Sequence, residues 1–278
     1  MTSVRRRRLA HELRRLREAA GLTCEQVAAQ MECSASKISR METGKVSVAP
    51  RDVRDVTAIY GVPGDLRDSL TQLARESRQH GWWHAYSDSV QPQLAIYLDN
   101  ESAASEIRIY RGSRIPTLLQ TAEYARATFA PRLASGPQSE DSQSIPLMTE
   151  RLRQASVSKP KVWTVLDEAA LRRKTGGPEL MRAQVEHLIA LSAMPCVFLQ
   201  LIPFSAGTHV ALDTTFAIFA FPGQFDPDIV CAAYTTGALW IEDAAEVRTY
   251  TTIFHQLQAD ALSLEDSAAF MAAVLKDL

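Results

Sequence analysis

The stretch Thr23–Gly44, TCEQVAAQMECSASKISRMETG, constrains this chain more than any other. It reads as two short helices joined by a tight turn. Thr23 caps the first helix, and Gln26, three residues on, completes a capping box. Val27, Ala28 and Met31 recur at helical spacing and form its apolar face. Glu32 and Cys33 fill the turn. Ser34 is an N-cap for the second helix, Ile38 and Met41 are its buried face, and Gly44 stops it. Ala28 is small enough for two helices to cross closely. Ser36, Lys37, Ser39 and Arg40 are left on the outward face: two cations and no anion, which suits a helix laid in the major groove of DNA. The same pattern also fits an ordinary helical hairpin within a bundle.

The flanking residues supply the rest of a small helical head. Leu9, Leu13 and Leu16 make a stripe on a first helix from about Arg5 to Ala20, which Gly21 ends. Lys45–Ala49 is a loop, with Lys45 free to meet a phosphate. Pro50 suits the first turn of a fourth helix, carried to Gly61 by Val53, Val56 and Ile59. Leu66, Leu70 and Leu73 mark a fifth. The expectation for residues 1–80 is therefore an all-α head of five short helices around one core. Charge points the same way. The net charge of −2 hides a split: residues 1–48 carry ten Lys/Arg and five Asp/Glu, leaving 20 and 27 for the rest. A basic head on an acidic body suits local nucleic-acid contact by the head. The RRRR run from Arg5 fits that contact and fits a solvated tail equally well.

A length of 278 residues suggests about two domains. GWWHAYSDSVQP, from Gly81, marks the boundary. Trp82, Trp83 and Tyr86 are too apolar for a free linker, and they read either as a pin between domains or as a wall on which a ligand stacks. Residues 81–278 then mix element types. Strands are expected at Glu106–Tyr110, Lys161–Leu166, Val197–Ile202, Phe216–Phe221, Ile229–Tyr234 and Ala238–Ile241, with Thr236-Gly237 turning between the last two. Helices are expected after Thr121, over Leu147–Val157, in DEAALRR from Asp167, over Pro178–Ala193, and in two closing segments, Ala244–Leu262 and Glu265–Leu275. Ala134–Ser144 reads as a loop. The prediction is an α+β domain with a mixed or antiparallel sheet.

Signals for chemistry are few. Cys24, Cys33, Cys196 and Cys231 form no C-x-x-C pair, and the six histidines form no H-E-x-x-H. A nucleophile elbow, a phosphate loop and a dinucleotide fingerprint are missing. Asp167 and Glu168 open a helix, where carboxylates favour the dipole. His209 lies in the loop FSAGTH and reads either as lining a cleft or as an exposed loop histidine; Gln120 precedes a helix and reads either as a ligand contact or as a local hydrogen-bonding group. The expectation is a protein that is not an enzyme and holds no cofactor or metal. No apolar run approaches the ~20 residues of a membrane span, and the N-terminus lacks a signal peptide's apolar core, so a cytoplasmic location is expected.

REAAGLT before the central stretch and SKISRMETGK within it resemble the helix-turn-helix of the lambda-repressor/Cro-like (Xre) family, over roughly residues 5–75. Two positions depart from it. Glu32 stands where the family usually has Gly, and Cys24 where a Gln touches phosphate. A left-handed Glu32 would carry ~1 kcal/mol of strain. Further on, GWW with Tyr86, LLQTAEYARA, LDEAALRR and IPFSAGTH resemble, in that order, the effector half of large actinobacterial Xre-type regulators. That half is a domain of unknown function, often linked with small partner proteins. Thr117 replaces a family Gly.

The resemblance implies a sequence-specific DNA-binding transcriptional regulator. Ser36, Lys37, Ser39 and Arg40 are candidates for base edges, and Ala35 for a thymine methyl. Ser34 serves cap and phosphate, and Arg14, Gln26 and Lys45 are phosphate candidates. A homodimer is expected, with the second domain supplying the contact and a cleft of Trp82, Trp83, Gln120 and His209 sensing a small molecule or a partner. The alternative is an antitoxin-like module that binds a small partner protein and regulates its own gene through the head.

Overall fold

The computed structural model describes residues 4–78, 92–133, 160–222, 227–234 and 237–278. Its chain divides into two compact units. One takes the N-terminal part together with Leu94–Ala103, and the other begins in earnest at Ala104. The expected boundary at residue 80 falls in 79–91, outside the described residues, as do the loop at 134–144 and the helix expected over 147–157.

Five helices build the first unit: α1 (Val4–Ala19), α2 (Cys24–Gln30), α3 (Ala35–Glu42), α4 (Pro50–Ile59) and α5 (Gly64–Arg78). Leu9, Leu13, Val27, Ala28, Ile38, Met41, Val53, Val56, Leu70 and Leu73 meet in one buried cluster, so each helix gives the core the stripe that its period predicts. Leu66 is the exception: it is 36% exposed, and the apolar face of α5 begins at Leu70. Gly44 and Gly61 take the left-handed conformation, with φ of 66° and 71°, which reverses the chain after α3 and α4 at no Cβ penalty. A further helix, α6 (Pro92–Ala103), was not expected from sequence. Its apolar residues Leu94–Leu98 run consecutively, which hides the 3.6-residue period.

The second unit is built on a six-stranded sheet. Its strands are β1 (Glu106–Arg111), β2 (Lys161–Asp167), β3 (Val197–Ile202), β4 (Phe216–Ala220), β5 (Ile229–Tyr234) and β6 (Gly237–Ile241), in the spatial order β3-β2-β1-β4-β5-β6. All six lie where strands were expected. The sheet is mixed: β1, β2 and β3 run parallel, while β4, β5 and β6 form an antiparallel meander beside β1. The remaining helices are α7 (Ala122–Leu133), the short α8 (Ala169–Arg172), α9 (Pro178–Ser192), α10 (Ala244–Asp260) and α11 (Leu264–Asp277). They cover both faces. On one, Leu166, Leu199 and Leu201 pack with Met181, Val185 and Leu188 of α9 and Met271 and Val274 of α11. On the other, Tyr110, Val165, Phe216, Ile218 and Val230 pack with Val247, Phe254 and Leu257 of α10. Neighbours in one strand, such as Val165 and Leu166, thus serve opposite cores. No helix among the described residues is long and apolar enough to cross a membrane.

Candidate nucleic-acid interface

The outward face of α3 is set up from its ends. In the capping box before it, Gln26 N donates to Thr23 Oγ1 at 3.3 Å and Thr23 N donates to Gln26 Oε1 at 2.8 Å. The turn then places Glu32 at φ 50°, the left-handed conformation in a residue other than glycine, and Cys33 N reaches back to Ala28 O at 2.9 Å. Ser34 caps α3 by accepting from Lys37 N at 3.2 Å. With Ile38, Met41 and Glu42 buried, Ser36, Ser39 and Arg40 are exposed side by side. Arg40 Nε rests on Ser36 O at 3.3 Å, a weak tether that leaves the other guanidinium N–H groups for a guanine edge.

Two ion pairs fix this helix to its neighbours. Arg17 of α1 grips Glu42 with Nε at 2.8 Å and Nη2 at 2.9 Å, while its Nη1 donates to Leu22 O at 2.8 Å. Both side chains are nearly buried, at 12% and 5% exposed. Tyr60 Oη donates to the same carboxylate at 3.5 Å. The bidentate geometry offsets the cost of desolvating two charges. The bond to Glu42 raises the pKa of Arg17; burial, and then the Glu42 charge, raise that of Tyr60. Lys37, half-way outward, gives its ammonium to Asp52 in the first turn of α4, Nζ to Oδ1 at 3.0 Å.

The other head candidates are placed unevenly. Lys45 is exposed. Arg14 is exposed but paired with Glu18 at 2.8 Å, and that hydrogen bond raises its pKa. Gln26 has its carbonyl engaged in the capping box and keeps its amide N–H groups, while Ser34 is engaged as the cap. Ala35 is half-buried and packs against the core cluster.

Of the four residues expected to line a cleft, Gln120 and His209 are among the described residues. Trp82 and Trp83 lie outside them. Gln120 is buried and donates its amide to Ile115 O at 2.7 Å; Ile115 belongs to the core that α9 and α11 complete. His209 is buried too, its side chain 2% exposed. Its Nδ1 accepts from Ala211 N at 3.3 Å, which leaves the proton on Nε2. That Nε2 lies 3.3 Å from Tyr110 Oη and 3.6 Å from Asp167 Oδ2, and Tyr110 belongs to the core on the opposite face of the sheet. The two residues therefore have separate partners, and neither is the surface group that a loop position suggests. Burial, and then the Asp167 charge, push the Tyr110 phenol up to about 12. Asp167 Oδ1 accepts from Ala169 N at 2.7 Å and so opens α8, the role its position predicts.

Residues 8–70 match the family model of a helix-turn-helix domain, and residues 94–273 match that of a domain of unknown function (DUF5753). The chain belongs to the DUF5753 family. Neither comparison with curated proteins nor comparison with solved structures finds a match. In this member of the DUF5753 family the N-terminal unit is thus a helix-turn-helix domain, the kind of module with which regulators bind DNA, and the arrangement agrees with the Xre-like resemblance of the sequence. Arg17, Glu42 and Asp52 were not found from sequence. A capping pattern is local, whereas Arg17 and Glu42 are 25 residues apart and Lys37 and Asp52 are 15. A charge at a core position of α3 was the one visible signal: Glu42 follows Met41 on the side that faces inward.

Proposed function

We propose that this protein is a sequence-specific DNA-binding transcriptional regulator of the Xre type that acts as a homodimer. The observation that carries the reading is the exposed row Ser36, Ser39 and Arg40 on a helix capped at Ser34 and latched by Glu42 to α1. Polar, short side chains beside one arginine suit base edges in a major groove, and exposed Lys45 just after the helix suits a phosphate. A single helix of this length reads only a few base pairs, and a two-fold pair doubles the site. The second unit, with cores of its own, supplies the dimer contact and the response to a signal. Gln120 and His209 act within that unit as buried hydrogen-bonding groups, and no catalytic step is assigned to it. Binding chromosomal DNA places the protein in the cytoplasm.

The test is selection of duplexes from a random pool by the full chain at low salt. A recovered motif with two related half-sites supports the reading, and recovery of no motif overturns it.

A further inference from the structure

The two outer strands of the sheet are finished differently. On β3, Leu201 N donates to Ser267 Oγ at 3.0 Å, and Leu201 O accepts from Leu262 N at 2.8 Å. Gln200 Nε2 adds bonds to Gln258 O and Leu262 O at 3.3 and 2.9 Å. The turn between α10 and α11 thereby closes that edge, as natural sheets close edges that would otherwise pair. On the other side β6 is the outermost strand among the described residues, and the usual guards are missing from it. Gly237-Ala-Leu-Trp-Ile241 contains no lysine, no other charge and no proline. Leu239 is 57% exposed and Tyr234, on the adjoining strand, 60%. The loop before β4 ends beside β5, since Ala233 N donates to Thr215 O at 3.3 Å, and in that loop Val210 and Leu212 are each 53% exposed.

We infer that β6 is the dimer contact, pairing antiparallel with β6 of a second copy to make one continuous sheet through both molecules. The inference rests on the homodimer reading above and gives it a surface. Charge selects the occupant. Residues 49–278 carry seven more acidic than basic side chains, with 27 Asp/Glu and 20 Lys/Arg. A basic partner would seek out those carboxylates, yet Phe204–Leu212 and Ile229–Ile241 hold no Asp, Glu, Lys or Arg. An uncharged patch on an acidic body is the surface on which two copies meet without like-charge repulsion. The register is also self-consistent. A two-fold axis at Leu239 sets Leu239 against itself and Ala238 against Trp240, a small side chain opposite a large one, and Gly237 against Ile241. Tyr234 and Leu239, on the same side of the hairpin by their pairing with Gly237 and Ala232, then meet their counterparts in one apolar seam.

The experiment uses the full chain. Residues facing each other across an antiparallel pair have Cα atoms about 4.5–5.5 Å apart, within the span of a disulfide. Leu239→Cys should therefore oxidise to a covalent dimer under conditions that leave the wild type, with its own four cysteines, uncrosslinked. Leu239→Lys should raise the dimer dissociation constant in sedimentation by roughly tenfold or more. Met194→Lys, at an exposed position in the turn before β3, should leave it unchanged. A dimer that survives Leu239→Lys, or one that Leu239→Cys fails to crosslink, overturns β6 as the contact and leaves the homodimer standing. A wild type that is monomeric at tens of micromolar overturns both, and DNA selection by the same sample reports separately on the head.

Discussion

The ammonium of Lys37 is bound to the carboxylate of Asp52, Nζ to Oδ1 at 3.0 Å, with the two side chains 38% and 24% exposed. One of the two cations on the recognition helix is thus held by an anion on the next helix. In the proposed function, base reading then falls on Ser36, Ser39 and Arg40, and Lys37 contributes little net charge toward the groove.

Removing the anion should release that charge. Asp52→Asn is expected to tighten binding to operator and unrelated duplex alike, so that specificity falls while affinity rises. The slope of log affinity against log salt should steepen by about 0.9, the value for one added phosphate contact. Fluorescence anisotropy at several salt concentrations measures both. A loss of operator affinity with an unchanged slope would instead mean that Asp52 aims Lys37 at a base.

Arg40 and Lys45 should separate readout from attraction. Arg40→Ala should cost ~1–3 kcal/mol on the operator, and relax the preference at one base pair, if it pairs with a guanine edge. Lys45→Ala should weaken all sequences alike and flatten the salt dependence. Competition titrations against single-base variants of the selected site tell the two patterns apart.

The turn before α3 holds Glu32 at φ 50°. Left-handed backbone costs an L-residue ~1–2 kcal/mol, and glycine's extra freedom in the unfolded chain returns ~0.4–1 kcal/mol of that. Glu32→Gly should therefore stabilise the protein by about 0.5 kcal/mol, seen as a higher midpoint in urea with an unchanged slope. A lower midpoint would show that the Glu32 side chain does more than tolerate the turn.

Alkaline stability should depend on Tyr110. Its phenol moves from an ordinary 10.0 up to about 12 in the folded protein, chiefly through burial. A raised pKa of this kind contributes stability that is fully present below pH 10 and is lost as pH climbs toward 12. Chemical denaturation across that window should show the decline, and Tyr110→Phe should make it shallower. Cys231, also pushed up to about 12 by burial, adds to the slope and remains in the variant. An identical decline in both proteins would assign it to Cys231 and the other buried acids.

Much of this was legible in the sequence because it is local. The capping box at Thr23 and Gln26, the cap at Ser34 and the stops at Gly44 and Gly61 each follow from residues within a turn of one another. The six strands were visible for the same reason, since alternation such as Ile107 and Ile109 against Arg108 needs no distant partner. What sequence could not supply was partnership across the fold. Counting charges on the outward face of α3 gave two cations and no anion, and Asp52 arrives from another helix. A loop position made His209 look exposed, whereas the chain folds it against Tyr110 and Asp167. Gln120 was offered as a ligand group, and its amide nitrogen is turned inward to Ile115 O. The helix α6 was missed because five apolar residues in a row, Leu94–Leu98, carry no period to read.

The Arg17–Glu42 latch has a bearing on how such a regulator changes targets. Cutting it by Glu42→Ala would strand a buried guanidinium at a cost of ~3–5 kcal/mol, so lineages that re-angle α3 through this position pass through poorly folded intermediates. Ser36, Ser39 and Arg40 carry no such burden, being exposed on the far side of the same helix. New operator preferences are then reached by exchanging those side chains on an unmoved scaffold, and a transplant of these three positions between related heads should carry the preference with it.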